Sequence, residues 1–193
     1  MKMYLFILIL AFISSCGNTN ETTKINSPAP SSSEAVTPPE NKVTPAPQNM
    51  IVGKFKKDDL QQEPFASWFN KGYEEFTPSP EAMETIKKHI SDYEIVGFVG
   101  TWCPDSRREI PKFYKILEDA GYDMSKLTMV GVTRGKSTPE NLEEGYDMHR
   151  VPTFIFMKDG KEVNRFVEYA AESTEDDIAK IVSGAGYKNS YAQ

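Results

Sequence analysis

A short apolar, β-rich run, Glu94 to Gly100, passes through Thr101-Trp102-Cys103-Pro104-Asp105-Ser106 into a stretch with helical spacing. This junction constrains the fold more than any other feature of the chain. A run so short and so apolar reads as a buried central strand, which must be covered on both sides. The following helix is predicted from Pro104 to about Ala120, with Ile110, Phe113, Tyr114 and Leu117 at three-to-four spacing. Pro111 in its interior predicts a kink, because proline lacks an N–H and crowds the preceding turn. Gly121 is a suitable stop. Cys103 is thereby placed at or just before a helix N-terminus, at the end of a central strand.

The remaining elements follow from pattern. Thr77 to Ile90 reads as a helix, with acidic Glu81 and Glu84 early and Lys87, Lys88 and His89 late, as the helix dipole prefers. Leu127 to Thr133 reads as a strand. Arg134 to Glu144 is polar, with a helix start at Thr138-Pro139. Thr153 to Met157 and Val163 to Val167 flank Lys158-Asp159-Gly160-Lys161, and Asp-Gly between two strand runs signals a hairpin. Ser173 to Ser183 closes the order as a helix with Ile178, Ile181 and Val182 inward. This succession implies an α/β fold, a small mixed sheet with helices on both faces. Upstream, Phe55, Phe65, Trp68, Phe69, Tyr73 and Phe76 are punctuated by Pro64, Gly72 and Pro78, which predicts short elements packing on the main body.

The first fifty residues differ in kind. Lys2 precedes an apolar run from Met3 to Ile13, far shorter than the roughly 20 residues a membrane-spanning helix needs. It fits the apolar core of a secretory signal over residues 1–15. Residues 16–49 are rich in Pro, Ser, Thr and Asn and cannot bury enough apolar surface to offset their ordering entropy. They read as a linker of partly polyproline character, with an upper reach on the order of 100 Å. The domain is expected over 50–193, with 50–77 as an N-terminal extension and 78–184 as its core. The formal net charge is −6 and no basic block stands out, so nucleic-acid binding has little electrostatic support. Two cysteines far apart make no disulfide framework. With two histidines and one cysteine beyond the linker, no zinc cluster, other metal or cofactor is expected.

Two resemblances add to this reading. Phe12-Ile13-Ser14-Ser15-Cys16 resembles the lipobox of bacterial lipoproteins. The resemblance implies cleavage before Cys16, lipidation of Cys16 and a membrane anchor, since two or three acyl chains hold firmly where one does not. Gly17 rather than Asp after that cysteine implies the outer membrane of a Gram-negative-type cell envelope, facing the periplasm. An ordinary signal with an incidental cysteine is the plainer alternative. Further on, Trp102-Cys103-Pro104 at a strand-to-helix junction, the loop Tyr146-Asp147-Met148-His149-Arg150-Val151-Pro152-Thr153 and the Asp-Gly hairpin together resemble the thioredoxin family over residues 78–184. That resemblance implies the thioredoxin fold, a cis Val151–Pro152 bond, and a substrate strand held by Trp102, Pro104, Val151, Pro152 and Thr153 in an edge-strand mode. It also implies Cys103 as nucleophile. A helix N-terminus offers unpaired N–H groups and partial positive charge, which favour a thiolate. Ser106 is placed to donate a hydrogen bond to the sulfur, Arg107 and Arg108 add positive charge, and Asp105 opposes it.

Two departures limit the likeness. Ser106 stands where thioredoxins carry a resolving cysteine, so no disulfide can close within the motif. Gly97 stands where they carry a buried carboxylate. The expectation is a membrane-anchored thioredoxin-like protein working by monothiol disulfide exchange on protein thiols and disulfides, with release by a substrate thiol (isomerisation) or an external thiol reductant. The alternative is a thioredoxin-fold module that binds peptides or proteins without turnover. His149 lies close to Pro152 in sequence, and a surface histidine is the simpler reading of it. A peroxiredoxin reading fails because Gly100 occupies the place of that family's threonine.

Overall fold

The computed structural model describes residues 49–192. The signal, Cys16 and all of the linker but Asn49 lie outside the described residues. Five strands form one mixed sheet in the order β1-β3-β2-β4-β5. They are β1 (Gly53–Phe55), β2 (Glu94–Val99), β3 (Leu127–Gly131), β4 (Thr153–Lys158) and β5 (Lys161–Val167). The helices are α1 (Lys57–Leu60), α2 (Ala66–Glu75), α3 (Pro80–His89), α4 (Pro104–Asp119) and α5 (Thr174–Ser183). β2 runs parallel to β3 and antiparallel to β4, so the apolar run read as a central strand is flanked on both sides. This is the α/β thioredoxin fold expected from the sequence.

Local chemistry sets the element ends. Ser79 caps α3 by accepting the Ala82 N–H at 3.2 Å, and Pro80 follows at the first helical position, where its missing donor is harmless. α4 runs unbroken through Pro111 and ends where the Gly121 N–H bonds Glu118 O and the Tyr122 N–H bonds Leu117 O. That pair of bonds satisfies the last carbonyls and needs the left-handed φ of +70° that Gly121 adopts. The β4–β5 turn places Asp159 and Gly160 at φ +53° and +72°, the paired left-handed conformation that matches strand twist. Gly72 does not punctuate, contrary to the sequence reading. α2 passes through it, because a Cβ there would lie 3.0 Å from Pro111 Cβ and Cγ, and the bare glycine lets α2 close on α4.

Alternation along the strands builds two unequal cores. Ile95 and Val99, Met129, Phe154 and Phe156, and Phe166 share one core with buried residues of all five helices. Within it the Phe113 ring stacks on Phe154 at 3.8 Å and Phe69 meets Tyr114 edge-on, contacts of about 0.5–1.5 kcal/mol each beyond area burial. The opposite face presents Val96, Phe98, Val130, Ile155 and Met157. Helices were expected on both faces, but among the described residues the cover of this one is not helical. Leu142, Tyr146 and Met148, from the irregular segment between β3 and β4, pack there instead. The helix expected from Thr138-Pro139 does not form. Glu143 accepts both the N–H and the hydroxyl of Thr138, Thr138 Oγ1 accepts the Leu142 N–H, and Asn141 turns to φ +53°. These local bonds offer the backbone an alternative to a helix.

One buried carboxylate ties the last helix to the segments before and after it. Asp177, 0 % exposed, accepts the Ala171 and Glu172 N–H groups and the Tyr187 hydroxyl. Replacing it by alanine leaves three donors unmatched, so Asp177→Ala should lose about 2–4 kcal/mol in urea unfolding. Burial raises its pKa from the ordinary 3.8. The native state therefore keeps this proton to higher pH than the unfolded chain, and the group's contribution to stability falls as pH rises above that value. An Asp177→Asn variant should lack that component of the pH slope.

Candidate active site

The strand-to-helix turn is fixed from several sides. The Cys103 N–H bonds Gly100 O at 2.8 Å, and the Arg107 N–H bonds Cys103 O at 3.0 Å. Thr101, fully buried, accepts the Ile51 N–H on its hydroxyl. Arg107 Nε donates to Thr101 O at 2.6 Å, and its guanidinium lies 5.9 Å from the Trp68 ring. The Trp102 indole lies so close over Gly100 that a Cβ there would sit 2.7 Å from the ring, and its Nε1 donates to Val132 O at 2.9 Å. Cys103 takes the N-cap position of α4, with Pro104 next and exposed. The helix N-terminus expected beside the sulfur is therefore present.

Facing this turn is the one that opens β4. Phe98 pairs with Thr153 across β2 and β4, so the end of one strand and the start of the other lie side by side. Val151–Pro152 is cis, and both residues are buried. The Thr153 hydroxyl donates to Arg150 O at 2.7 Å, and Pro152 O accepts the Glu168 N–H. Cys103 Sγ lies 3.4 Å from Val151 O, within sulfur hydrogen-bond range, and 4.0 Å from Asp105 Oδ2. The structure thus brings Trp102, Cys103, Val151, Pro152 and Thr153 together.

Ser106 differs from expectation. It is fully buried, and its Oγ accepts the Gly100 N–H at 3.1 Å. The expected bond from its hydroxyl to the sulfur is not made. The serine instead ties the first turn of α4 to the end of β2. The two arginines are likewise engaged elsewhere, Arg107 on Thr101 and Arg108 between Asp105 and Glu109. At Gly97 a Cβ would lie 2.5 Å from Met129 Sδ and 3.1 Å from Phe154 Cδ1, so methionine and phenylalanine fill the space beside that strand position.

Cys103 is 7 % exposed, and its open side faces a cleft of about 420 Å³. Trp102, Lys136, His149, Arg150, Val151 and Glu168 line the rest of it. His149 is a surface residue, 80 % exposed and paired with Asp147 at 2.9 Å. Lys136, Arg150 and Glu168 escaped sequence reading. Lys136 and Glu168 belong to no motif, Arg150 entered only as part of the loop before Pro152, and their nearness to the sulfur arises only when the β3–β4 segment and the end of β5 fold against the turn.

A sheet of this order, a cysteine capping the helix after its central strand, and a cis-proline turn against the sulfur define a thioredoxin-type site. The family model for thioredoxin matches residues 59–180, and the chain belongs to that family. It is 26 % identical over 145 residues to a thioredoxin H-type 1 of Nicotiana tabacum, covering 75 % of this chain and 94 % of that protein. It is 29 % identical over 91 residues to a chloroplastic thioredoxin Y of Oryza sativa subsp. japonica, covering 47 % and 49 % respectively. Among solved structures, the thioredoxin of Fasciola hepatica is 27 % identical with a TM-score of 0.30, covering 44 % of this chain and 75 % of its own.

Ser106→Ala removes the acceptor of a buried N–H and should cost about 1–3 kcal/mol in chemical denaturation. A slower reaction of Cys103 with a thiol reagent at unchanged stability would instead return the hydroxyl to a direct role on the sulfur.

Proposed function

We propose that this chain is a membrane-anchored thioredoxin-like protein that works by monothiol disulfide exchange. Its family supplies a thiol–disulfide redox function at the coarse level. The finer reading rests chiefly on one observation: the Cys103 sulfur lies at the helix N-cap, against Val151 O, with its open side on a cleft. The Cys103 thiolate attacks a substrate disulfide, forms a mixed disulfide and expels the other substrate sulfur as a thiolate. With serine at 106, the mixed disulfide awaits a second thiol, either from the substrate, giving isomerisation, or from an external thiol reductant. Trp102, Pro104 and the Val151-Pro152-Thr153 turn hold the substrate strand, whose backbone would pair beside the cis proline. Ser106 keeps the turn in place.

The anchor is the second part of the proposal. Cys16 carries the lipid, residues 16–49 form the tether, and the domain faces the periplasm from the outer membrane of a Gram-negative-type envelope. The support is the apolar leader ending in Ser14-Ser15-Cys16 and the Pro-rich segment after it. Acylation of the full chain in its host, lost in Cys16→Ser, tests this part independently of the thiol chemistry.

The rival reading keeps the groove and discards the reaction. The replaced second sulfur and the 7 % exposure of the first favour it. Pull-down from envelope extracts with wild type and Cys103→Ser separates the two. Partners released only by reductant, and absent with Cys103→Ser, support exchange chemistry. Partners retained without a covalent link by both proteins support binding alone. A thiol reagent that leaves Cys103 unmodified in the folded protein overturns the catalytic reading.

A further inference from the structure

The charges around the cleft are not balanced in the same way. Arg150 is held by Glu168 at 2.8 Å and lies 3.9 Å over the Tyr191 ring, while the Tyr191 hydroxyl donates to the same Glu168. Arg108 is paired with Asp105, and Asp147, which does not line the cleft, meets His149 at 2.9 Å. Lys136, which lines the cleft, and Arg134, which lies 5.1 Å from the ring of the cleft residue Trp102, have no ion-pair partner among the described residues. Both sit on one fixed turn. The Lys136 N–H bonds Thr133 O at 2.8 Å, the Thr133 N–H bonds Ser137 O at 3.0 Å, and the two side-chain hydroxyls meet at 3.1 Å. Lys136 holds φ +62° there, a conformation uncommon for a residue other than glycine. Lys136 is therefore presented in the cleft that holds Cys103, and Arg134 at its rim over Trp102.

We infer that the thiol resolving Cys103 is a small anionic thiol whose carboxylates are held by Lys136 and Arg134. The inference rests on the exchange reading above and names its co-substrate. Three observations converge on it. Ser106 supplies no second sulfur, so the resolving thiol enters from outside. The sulfur borders the cleft, whose volume of about 420 Å³ lies in the range of small-molecule sites. Its uncompensated charge is positive, which raises the local concentration of anions and lowers that of cations. The electron balance closes with that thiol alone. A first small thiolate attacks the Cys103 sulfur of the mixed disulfide, freeing the substrate thiolate and leaving the small thiol bonded to Cys103. A second attacks the sulfur of that bound thiol, freeing the Cys103 thiolate and leaving as a small-molecule disulfide. One substrate disulfide is reduced and two small thiols are oxidised.

The test uses the full chain with Cys16→Ser, so that Cys103 is its single thiol. Cys103 is first converted to its 2-thiopyridyl disulfide, and release of pyridine-2-thione is followed after adding one of three thiols. These are the dicarboxylate tripeptide γ-glutamyl-cysteinyl-glycine, neutral 2-mercaptoethanol and cationic cysteamine. Each rate is divided by that thiol's rate on a free 2-thiopyridyl disulfide of cysteine, which removes intrinsic reactivity. The expected result is a preference for the tripeptide over cysteamine on the order of tenfold at low ionic strength. The preference should shrink in about 0.5 M salt and in the Lys136→Gln/Arg134→Gln variant. Equal normalised rates for the three thiols, or a preference that survives both salt and the double substitution, overturn this inference while leaving monothiol exchange in place. Failure of Cys103 to form the thiopyridyl adduct removes the exchange reading and this inference with it.

Discussion

The site depends on the pairing of β2 with β4. Because Phe98 lies opposite Thr153 in an antiparallel ladder, the chain leaving β2 and the chain entering β4 turn at the same end of the sheet. One turn carries the sulfur and the other the cis proline. A shift of one residue would carry Phe98 and Ile155 from the covered face to the other side and empty both cores. The same apolar alternation that stabilises the sheet therefore fixes the distance between Cys103 and Val151 O. The site needs no separate framework, only a strand pair whose Phe98, Phe154 and Ile155 are already fully buried.

Much of this was legible because it is local. The Asp159-Gly160 turn, the spacing of α4 and its glycine stop each depend on residues near in sequence, and the structure has them where the pattern placed them. The misreadings share one cause, which is that the deciding partner is distant or competing. Gly72 reads as a break until Pro111, on another helix, is found against it. Thr138-Pro139 reads as a helix start, yet Glu143 folds back onto Thr138 and closes a loop. Ser106 reads as a partner of the cysteine three residues earlier, but the Gly100 N–H claims its oxygen. A buried N–H without an acceptor costs about 1–3 kcal/mol, more than a neutral hydroxyl–thiol contact offers, so the backbone bond prevails.

The cleft was illegible for a further reason. Its basic residues lie on the segment that replaces a helix between β3 and β4. That segment holds the second face of the sheet through Leu142, Tyr146 and Met148, with the Tyr146 ring centroid 5.0 Å from that of Phe98. An amphipathic helix there would fix its side chains at regular spacing on the sheet. An irregular cover is anchored at a few apolar points and leaves its turns free to project, which is how Lys136 and Arg150 come to share a cavity with Cys103.

The departures from the family form one pattern. Methionine and phenylalanine crowd the space at Gly97, and a hydroxyl bound to the backbone occupies position 106. Both places are committed to stability, so neither a charged group nor a free thiol fits them without displacing contacts the core uses. In the proposed exchange, a site without the family's carboxylate and second sulfur keeps the attacking step, which needs only the first sulfur and access to it. Completing the proposed cycle then falls to whatever enters the cleft, and the charges at its rim, rather than the motif itself, are the proposed means of selecting that molecule.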